Sequence, residues 1–115
     1  MITIVIPTFN EIKNISKIIN QLLALDLSSD IELIIVDDNS SDGTADKVRE
    51  LVHNDKRIRL LNRVGRSGLS SAIKEGCLCA SGELVVVIDA DGQHEPSYVR
   101  KALNFIESSK VDIVV

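Results

Sequence analysis

Short apolar runs alternate along this chain with stretches in which apolar residues recur every three or four positions. The short runs are rich in β-branched residues and predict strands, while the recurring spacing is typical of amphipathic helices. The predicted strands are Ile2–Ile6, Glu32–Val36, Ile58–Leu61 and Leu84–Ile88, with a last extended stretch at Val111–Val115. The predicted helices carry their apolar stripes at Ile12–Leu23, Val48–Val52, Leu69–Cys77 and, after Pro96, Val99–Ile106.

The predicted strands are apolar without alternation, which indicates burial on both faces. Strands of this kind belong to a mainly parallel sheet that is covered by helices on both sides. The sequence therefore predicts an α/β fold, a three-layer sandwich. A chain of 115 residues is long enough for one domain and too short for two. Because the chain ends inside an apparent strand, we expect residues 1–115 to be the first part of a longer domain, truncated at its C-terminus.

Composition argues against a nucleic-acid partner and against a membrane-spanning segment. With 13 Lys and Arg against 17 Asp and Glu, the net charge of -4 offers no basic field for a nucleic acid. The longest strongly apolar run, Leu84–Ile88, is far shorter than the roughly 18 residues that a membrane span requires. No signal peptide is recognised, so the cytoplasm is the expected location.

Cys77 and Cys79 match no metal-ligand spacing, and we interpret them as buried small apolar residues.

Polar residues that suit ligand binding follow three of the predicted strands. In an open parallel sheet, ligands bind beyond the carboxyl ends of the strands. These segments should therefore meet at one edge, where six carboxylates would converge and call for a bound cation or for hydrogen-bond donors from a ligand. The segments are Pro7–Glu11, Asp37–Thr44 and Asp89–His94.

The pair Asp37 and Asp38 admits two interpretations. One aspartate can cap the next helix while the other is solvated in the loop. Alternatively, a carboxylate here accepts hydrogen bonds from the N–H groups of a nucleobase edge, which discriminates between bases. The neighbouring motifs favour the second interpretation for Asp38.

The D-x-D motif Asp89-Ala90-Asp91 offers hard oxygen ligands that suit Mg²⁺ or Mn²⁺ carrying a diphosphate, and Gln93 adds a neutral carbonyl ligand. An acidic turn that caps the following helix is the alternative, since a D-x-D alone is a weak signal. His94 is at most a neighbour of the site. Neither an EF-hand loop nor a Walker A or G-x-G-x-x-G motif is present.

The segment Arg63–Leu69, which contains two glycines and two arginines, follows the third predicted strand. Glycines permit a close backbone approach, and the arginines could neutralise a diphosphate. Exposed arginines before a helix require no such role, so both interpretations stand for Arg63 and Arg66.

Together, these segments resemble the family 2 glycosyltransferases, most closely the dolichyl-phosphate mannose synthase branch. The resemblance implies a GT-A fold and a metal-assisted, inverting transfer that uses Mg²⁺ or Mn²⁺. The donor would be a nucleoside diphosphate sugar, GDP-mannose or a UDP-sugar, and the acceptor a polyprenyl (dolichyl) phosphate at the cytoplasmic face of the membrane. The matching segments are Val5–Glu11, Val36–Thr44, Arg63–Ala72 and Asp89–Pro96.

The resemblance also implies roles for individual residues. Asp89 would support the ribose and the metal, Asp91 would be the principal metal ligand, and Gln93 would complete the coordination. Asp89 and Asp91 are the residues on which catalysis would depend. Arg66 would lie beside the diphosphate. The nucleoside pocket would be lined by Pro7, Thr8, Glu11 and Asp38.

Two other functions compete with this one. A sugar-1-phosphate nucleotidyltransferase should have a glycine-rich loop directly after the first strand, and Pro7–Glu11 contains no glycine. A nucleotide-binding module without turnover would keep the fold and the aspartates. Because family members continue into acceptor-binding segments, we expect this chain alone to be inactive. An exposed strand edge would favour association into a homodimer.

Overall fold

Strands and helices alternate along the described part of the chain, as the hydrophobic pattern predicts. The computed structural model describes residues 1–25, 30–65, 67–90 and 113–114. The predicted helix after Pro96 lies outside these residues. The elements are β1 (Ile2–Thr8), α1 (Ile15–Leu23), β2 (Ile31–Asp37), α2 (Thr44–Asn54), β3 (Ile58–Asn62), α3 (Leu69–Cys79), β4 (Leu84–Val87) and β5 (Ile113–Val114).

The described strands form a parallel sheet in the order β3-β2-β1-β4-β5. The chain first adds β2 and β3 on one side of β1 and then returns to place β4 on the other side. The order of the strands therefore changes direction between β1 and β4. Thr8 pairs with Asp37, and Asp37 pairs with Asn62, so the carboxyl ends of three strands lie at one edge.

The core has two layers, one on each face of the sheet. Helices α1 and α2 cover one face, and α3 covers the other. This arrangement confirms the three-layer α/β sandwich. The first layer contains, among others, Ile4, Ile6, Leu33, Ile35, Ile19 and Val48. The second contains Val5, Ile34, Val36, Ala72 and Val87.

Helix α3 approaches the sheet closely because Gly76 has no side chain. A Cβ atom at Gly76 would lie 2.4 Å from Val5 Cγ1 and 3.1 Å from Val36 Cγ2. The close approach holds α3 against β1 and β2 and directs its first turn to the carboxyl edge of the sheet.

Three predictions about side-chain burial in α3 were wrong. Leu69 was expected in the buried stripe but is 58% exposed, because it begins the helix beyond the end of the strands. Cys77 and Cys79, expected to be buried, are both free and only partly buried.

Within the described residues, no helix is long and apolar enough to cross a membrane.

Candidate functional site

A cavity of about 310 Å³ opens at the carboxyl edge of the sheet. It lies beside the end of β1, where the order of the strands changes direction. Open α/β sheets bind their ligands at this position. The cavity is lined by Pro7, Thr8, Phe9, Glu11, Asp38, Leu69, Ala72, Asp89 and Ala90.

The cavity unites every predicted site residue that the structure describes. What these residues bind stays a prediction at this point. The residues brought together are Pro7, Thr8, Glu11, Asp38 and Asp89. The predicted site residues outside the described part of the chain are Arg66, Asp91 and Gln93.

The adjacent aspartates at the end of β2 differ in their surroundings. Asp37 is fully buried, and its Oδ1 accepts hydrogen bonds from the hydroxyls of Thr8 (2.7 Å) and Ser40 (2.7 Å). Its Oδ2 accepts a third from the Ser40 backbone N–H at 2.9 Å. Asp38, one residue further on, lines the cavity. Asp37 therefore holds the loop, and Asp38 is the aspartate that a ligand can reach.

Two loops that border the cavity are tied to each other. The Asn10 backbone N–H donates to Ser40 Oγ at 2.7 Å, and the Ser41 N–H donates to Asn10 Oδ1 at 2.9 Å. Asn10 and Asn39 adopt left-handed backbone conformations, with φ of 53° and 54°. Asparagine tolerates this region better than most residues. The loops after β1 and β2 therefore form one unit beneath the site.

Asp42 fastens the same two loops near the start of α2. Its carboxylate accepts backbone hydrogen bonds from Ile12 (3.1 Å) and Thr44 (3.0 Å) and a third from the Thr44 hydroxyl. Burial raises the pKa of Asp42, but the hydrogen bonds from Thr44 and Ile12 outweigh it and lower the pKa below its usual value. Asp42 is thus stabilised as a carboxylate by the protein itself.

These contacts correct the interpretation of the acidic cluster. Asp37 and Asp42 take their hydrogen bonds from the protein, so neither requires a cation or a ligand to compensate its charge. The carboxylates that line the cavity are those of Glu11, Asp38 and Asp89.

Asp38 is held from two sides. Its backbone N–H donates to the Thr8 carbonyl at 3.0 Å, which continues the pairing of β1 with β2. Its Oδ2 accepts a hydrogen bond from the Gly68 backbone N–H at 3.1 Å. Its Oδ1 lies 2.7 Å from Arg63 Nε; this contact is an ion pair by distance, but the Nε–H is not aligned for a hydrogen bond.

Arg63 is a functional neighbour that sequence reasoning left undecided. Its side chain is 1% exposed, so the interpretation of Arg63 as an exposed arginine was wrong. Beyond Asp38, its Nη2 donates to Ser71 Oγ at 2.8 Å, and its Nη1 lies 3.7 Å from Glu75 Oε2. No local sequence pattern predicts this burial, because Asp38 follows a different strand, β2.

Phe9 is a second residue that sequence reasoning missed. It is 62% exposed and lines the cavity beside Asp38, as well as an adjoining groove with Gly65 and Ser67. The chain has only two phenylalanines, one tyrosine and no tryptophan. An exposed aromatic face in a cavity offers a stacking surface for a planar ligand. Its position directly after a strand, inside a polar loop, was the available signal.

Asp89 stands on the other side of β1 from Asp38. The Ile88 N–H donates to the Val5 carbonyl at 3.0 Å, which extends the pairing of β4 with β1 to Ile88, the residue before Asp89. Asp89 is exposed and points a hard oxygen ligand at solvent. Among the described residues, no three side chains of His, Cys, Asp or Glu form a group that could hold a metal. Asp89 is one hard oxygen ligand, and the other predicted ligands, Asp91 and Gln93, lie outside the described residues.

The chain belongs to glycosyl transferase family 2, because residues 3–115 match the sequence profile of that family. It is 37% identical over 102 residues to the dolichol-phosphate mannosyltransferase of Saccharomyces cerevisiae. That alignment covers 86% of this chain and 38% of the yeast protein, so this chain spans less than half the length of its relative.

Solved structures share the fold. The mannosyltransferase of Pyrobaculum calidifontis in complex with GDP-Man and Mn²⁺ superimposes with a TM-score of 0.79 at 28% identity, covering 91% of this chain and 32% of that chain. Residues 1–349 of S. aureus TarS in complex with UDP give a TM-score of 0.75 at 26% identity, covering 93% and 32%. These matches confirm the predicted GT-A fold.

Proposed function

We propose that this chain forms the nucleotide-sugar-binding part of a glycosyltransferase that transfers a sugar to a polyprenyl phosphate, such as dolichyl phosphate, at the cytoplasmic face of a membrane. One observation carries the proposal. Asp38 and Asp89 lie on either side of the end of β1 and line the same cavity. We assign Asp38 as the acceptor for the nucleobase and Asp89 as a ligand of the metal that carries the diphosphate.

The nucleoside binds between Phe9 and Asp38. The aromatic face stacks on the base, and the ionised carboxylate acts only as a hydrogen-bond acceptor. Guanine and uracil each present a ring N–H at their base-pairing edge, whereas adenine and cytosine present a ring acceptor there and can offer Asp38 only their exocyclic amino group. The donor is therefore a GDP-sugar or a UDP-sugar. Both nucleotides occur in the complexes of the structural relatives.

The diphosphate would lie toward Asp89, and Asp89, Asp91 and Gln93 would hold the Mg²⁺ or Mn²⁺. When bound, the divalent cation stabilises the negative charge that develops on the leaving diphosphate. The resemblance to the family implies that Arg66 would add positive charge for the diphosphate. The Mn²⁺ in the Pyrobaculum complex supports this assignment.

A polyprenyl phosphate acceptor suits this chemistry because it is already anionic. Its phosphate oxygen attacks the anomeric carbon of the donor, the bond from that carbon to the diphosphate breaks, and the nucleoside diphosphate leaves. A single displacement of this kind inverts the anomeric configuration. An ionised phosphate needs no general base to become a nucleophile. The name of the yeast relative supports a dolichol phosphate acceptor.

Self-association belongs to the same proposal. Within the described sheet, β3 is an edge strand, and unpaired strand edges favour pairing between chains. Light scattering of the purified chain tests self-association. A solution that contains only monomer over the micromolar range would contradict it.

The test of the proposed function is calorimetric titration of GDP, UDP, ADP and CDP into the chain, with and without Mn²⁺. We expect GDP or UDP to bind in a Mn²⁺-dependent manner and ADP and CDP to bind at least about tenfold more weakly. Asp89→Asn should abolish the Mn²⁺ dependence. Asp46→Asn, a carboxylate on α2 that pairs with Arg49 outside the cavity, should leave it unchanged. Equal binding of all four nucleotides would contradict the proposal.

A further inference from the structure

Arg63 is the largest fully buried side chain among the described residues. Removing a guanidinium from water is unfavourable unless the protein compensates the charge. Its partners are the Asp38 carboxylate at 2.7 Å, the Glu75 carboxylate at 3.7 Å and the Ser71 hydroxyl at 2.8 Å. The residue therefore joins the end of β3 to α3 and to the carboxylate that lines the cavity.

Arg63 does not itself line the cavity. It reaches the site only through Asp38, whose side chain is 12% exposed. The backbone N–H of Arg63 donates to the Asp37 carbonyl at 2.8 Å, which extends the pairing of β2 with β3 by one residue and places Arg63 beside Asp38. A buried cation with this placement controls the orientation of the carboxylate without touching the ligand.

We propose that Arg63 is a positioning residue that fixes the Asp38 carboxylate and thereby sets the discrimination between nucleobases. This inference rests on the proposed function of the cavity. A carboxylate has about four lone-pair sites. The Gly68 N–H takes up one site on Oδ2, and the Arg63 guanidinium lies against Oδ1 as an ion pair, so sites remain on the carboxylate for a base. A carboxylate that is held in advance loses little freedom when the base binds.

Lysine cannot replace arginine in this role. The guanidinium presents Nε, Nη1 and Nη2 in one rigid plane, and each nitrogen faces a different partner. A lysine ammonium has a single nitrogen and no planar fork. Arg63→Lys therefore keeps the buried charge but releases the orientation of Asp38.

The experiment is a double-mutant cycle on nucleotide affinity, with Arg63→Lys, Asp38→Asn and the combination of both. Dissociation constants for GDP, UDP and ADP are measured by calorimetry in the presence of Mn²⁺, after circular dichroism has confirmed that each variant is folded. We expect Arg63→Lys to weaken binding of the preferred nucleotide about tenfold and to reduce the ratio between its affinity and that of ADP. In the Asp38→Asn background the same change should alter affinity less than about twofold.

Two further variants sharpen the cycle. Ser71→Ala removes only the hydroxyl that accepts a hydrogen bond from Arg63 Nη2. It should weaken nucleotide binding less than Arg63→Lys does, and this effect should also disappear in the Asp38→Asn background. Arg59→Lys is the matched control. Arg59 lies in β3, the strand that directly precedes Arg63, and its Nη1 lies 3.6 Å from Glu32 Oε2. It does not line the cavity, so the substitution should leave all three affinities unchanged.

The outcomes separate this inference from the proposed function. If the losses of affinity caused by Arg63→Lys and Asp38→Asn are additive in the double variant, Arg63 does not position Asp38, and the donor site itself is unaffected by that result. A folded wild-type chain that binds none of the nucleotides overturns the donor site and the specificity role together. A readout without ligand is the Arg63 Nε–H resonance in an NMR spectrum. Asp38→Asn should shift it, and an unchanged resonance would show that the ion pair does not exist.

Discussion

Thr8 and Asp37 end neighbouring parallel strands in register, and the Thr8 hydroxyl donates a 2.7 Å hydrogen bond to the buried Asp37 carboxylate. Ser40 adds two more donors to the same carboxylate. These hydrogen bonds hold Asp37 at the end of β2. The next residue, Asp38, therefore faces the cavity.

Asp37→Asn should destabilise the protein by about 2 kcal/mol, because the new amide donor faces hydroxyl and N–H donors in a buried position. The free energy of unfolding, measured by urea denaturation, reports the loss. Asp46→Asn is the matched control, since that carboxylate is exposed on α2 and should change stability by less than about 0.5 kcal/mol. Equal effects of the two substitutions would show that Asp37 does not hold the loops.

Phe9→Ala should weaken nucleotide binding by about 1–3 kcal/mol, the range expected for the loss of base stacking. Because Phe9 is 62% exposed, the midpoint of urea denaturation should hardly move. Phe9→Tyr should restore the affinity. Leu78→Ala is the control for loss of an exposed apolar side chain away from the cavity. If Phe9→Ala leaves the dissociation constant unchanged, the base does not stack on this residue.

Gly76→Ala should destabilise the protein by about 1–3 kcal/mol despite the higher helix propensity of alanine. The added methyl group would lie 2.4 Å from Val5 Cγ1, so α3 must move away from β1. Ser70→Ala, at an exposed position of the same helix, should instead be neutral or slightly stabilising. Thermal denaturation of both variants distinguishes a packing constraint from a general effect of alanine in α3.

Glu32 should make stability depend on pH. Burial raises its pKa, but hydrogen bonds from Ser81 and Thr3 and the charge of Arg59 prevail and lower it below the usual 4.5. A carboxyl group whose pKa is lowered by folding stabilises the protein above its unfolded-state pKa, and this contribution disappears as the pH falls through the folded-state value. The free energy of unfolding should therefore fall below about pH 4.5.

The variant Glu32→Gln isolates this contribution. It should be less stable than the wild type at pH 7, and the difference between the two proteins should shrink as the pH is lowered below 4.5. Urea denaturation at a series of pH values provides the comparison. A difference that stays constant from pH 7 to pH 3 would assign the effect of Glu32 to packing instead of ionisation.

The layout of the fold could be predicted because it depends on a repeated pattern. Strands β1 and β2 are apolar at nearly every position, and burial on both faces follows directly from that. The parallel order then places Pro7, Asp38 and Asp89 at one edge without further information. The resemblance of the motifs to the glycosyltransferases supplied the chemistry, and the family match confirms the membership.

Other features depend on contacts that no local pattern records. Asp37 and Asp38 are chemically identical neighbours, and only the register with Thr8 determines which of them is buried. Arg63 is buried because Asp38, which follows β2, and Ser71 and Glu75, which lie in α3, meet around it. Long-range packing of this kind overrides the general tendency of arginine to be exposed.

A crystal structure of the chain with Mn²⁺ and the nucleotide that calorimetry selects shows directly whether the cavity beside β1 binds the donor nucleotide. We expect the base between Phe9 and the Asp38 carboxylate, with the diphosphate directed toward Asp89. A nucleotide bound at any other place on the molecule, in crystals whose cavity is open to solvent, would contradict it.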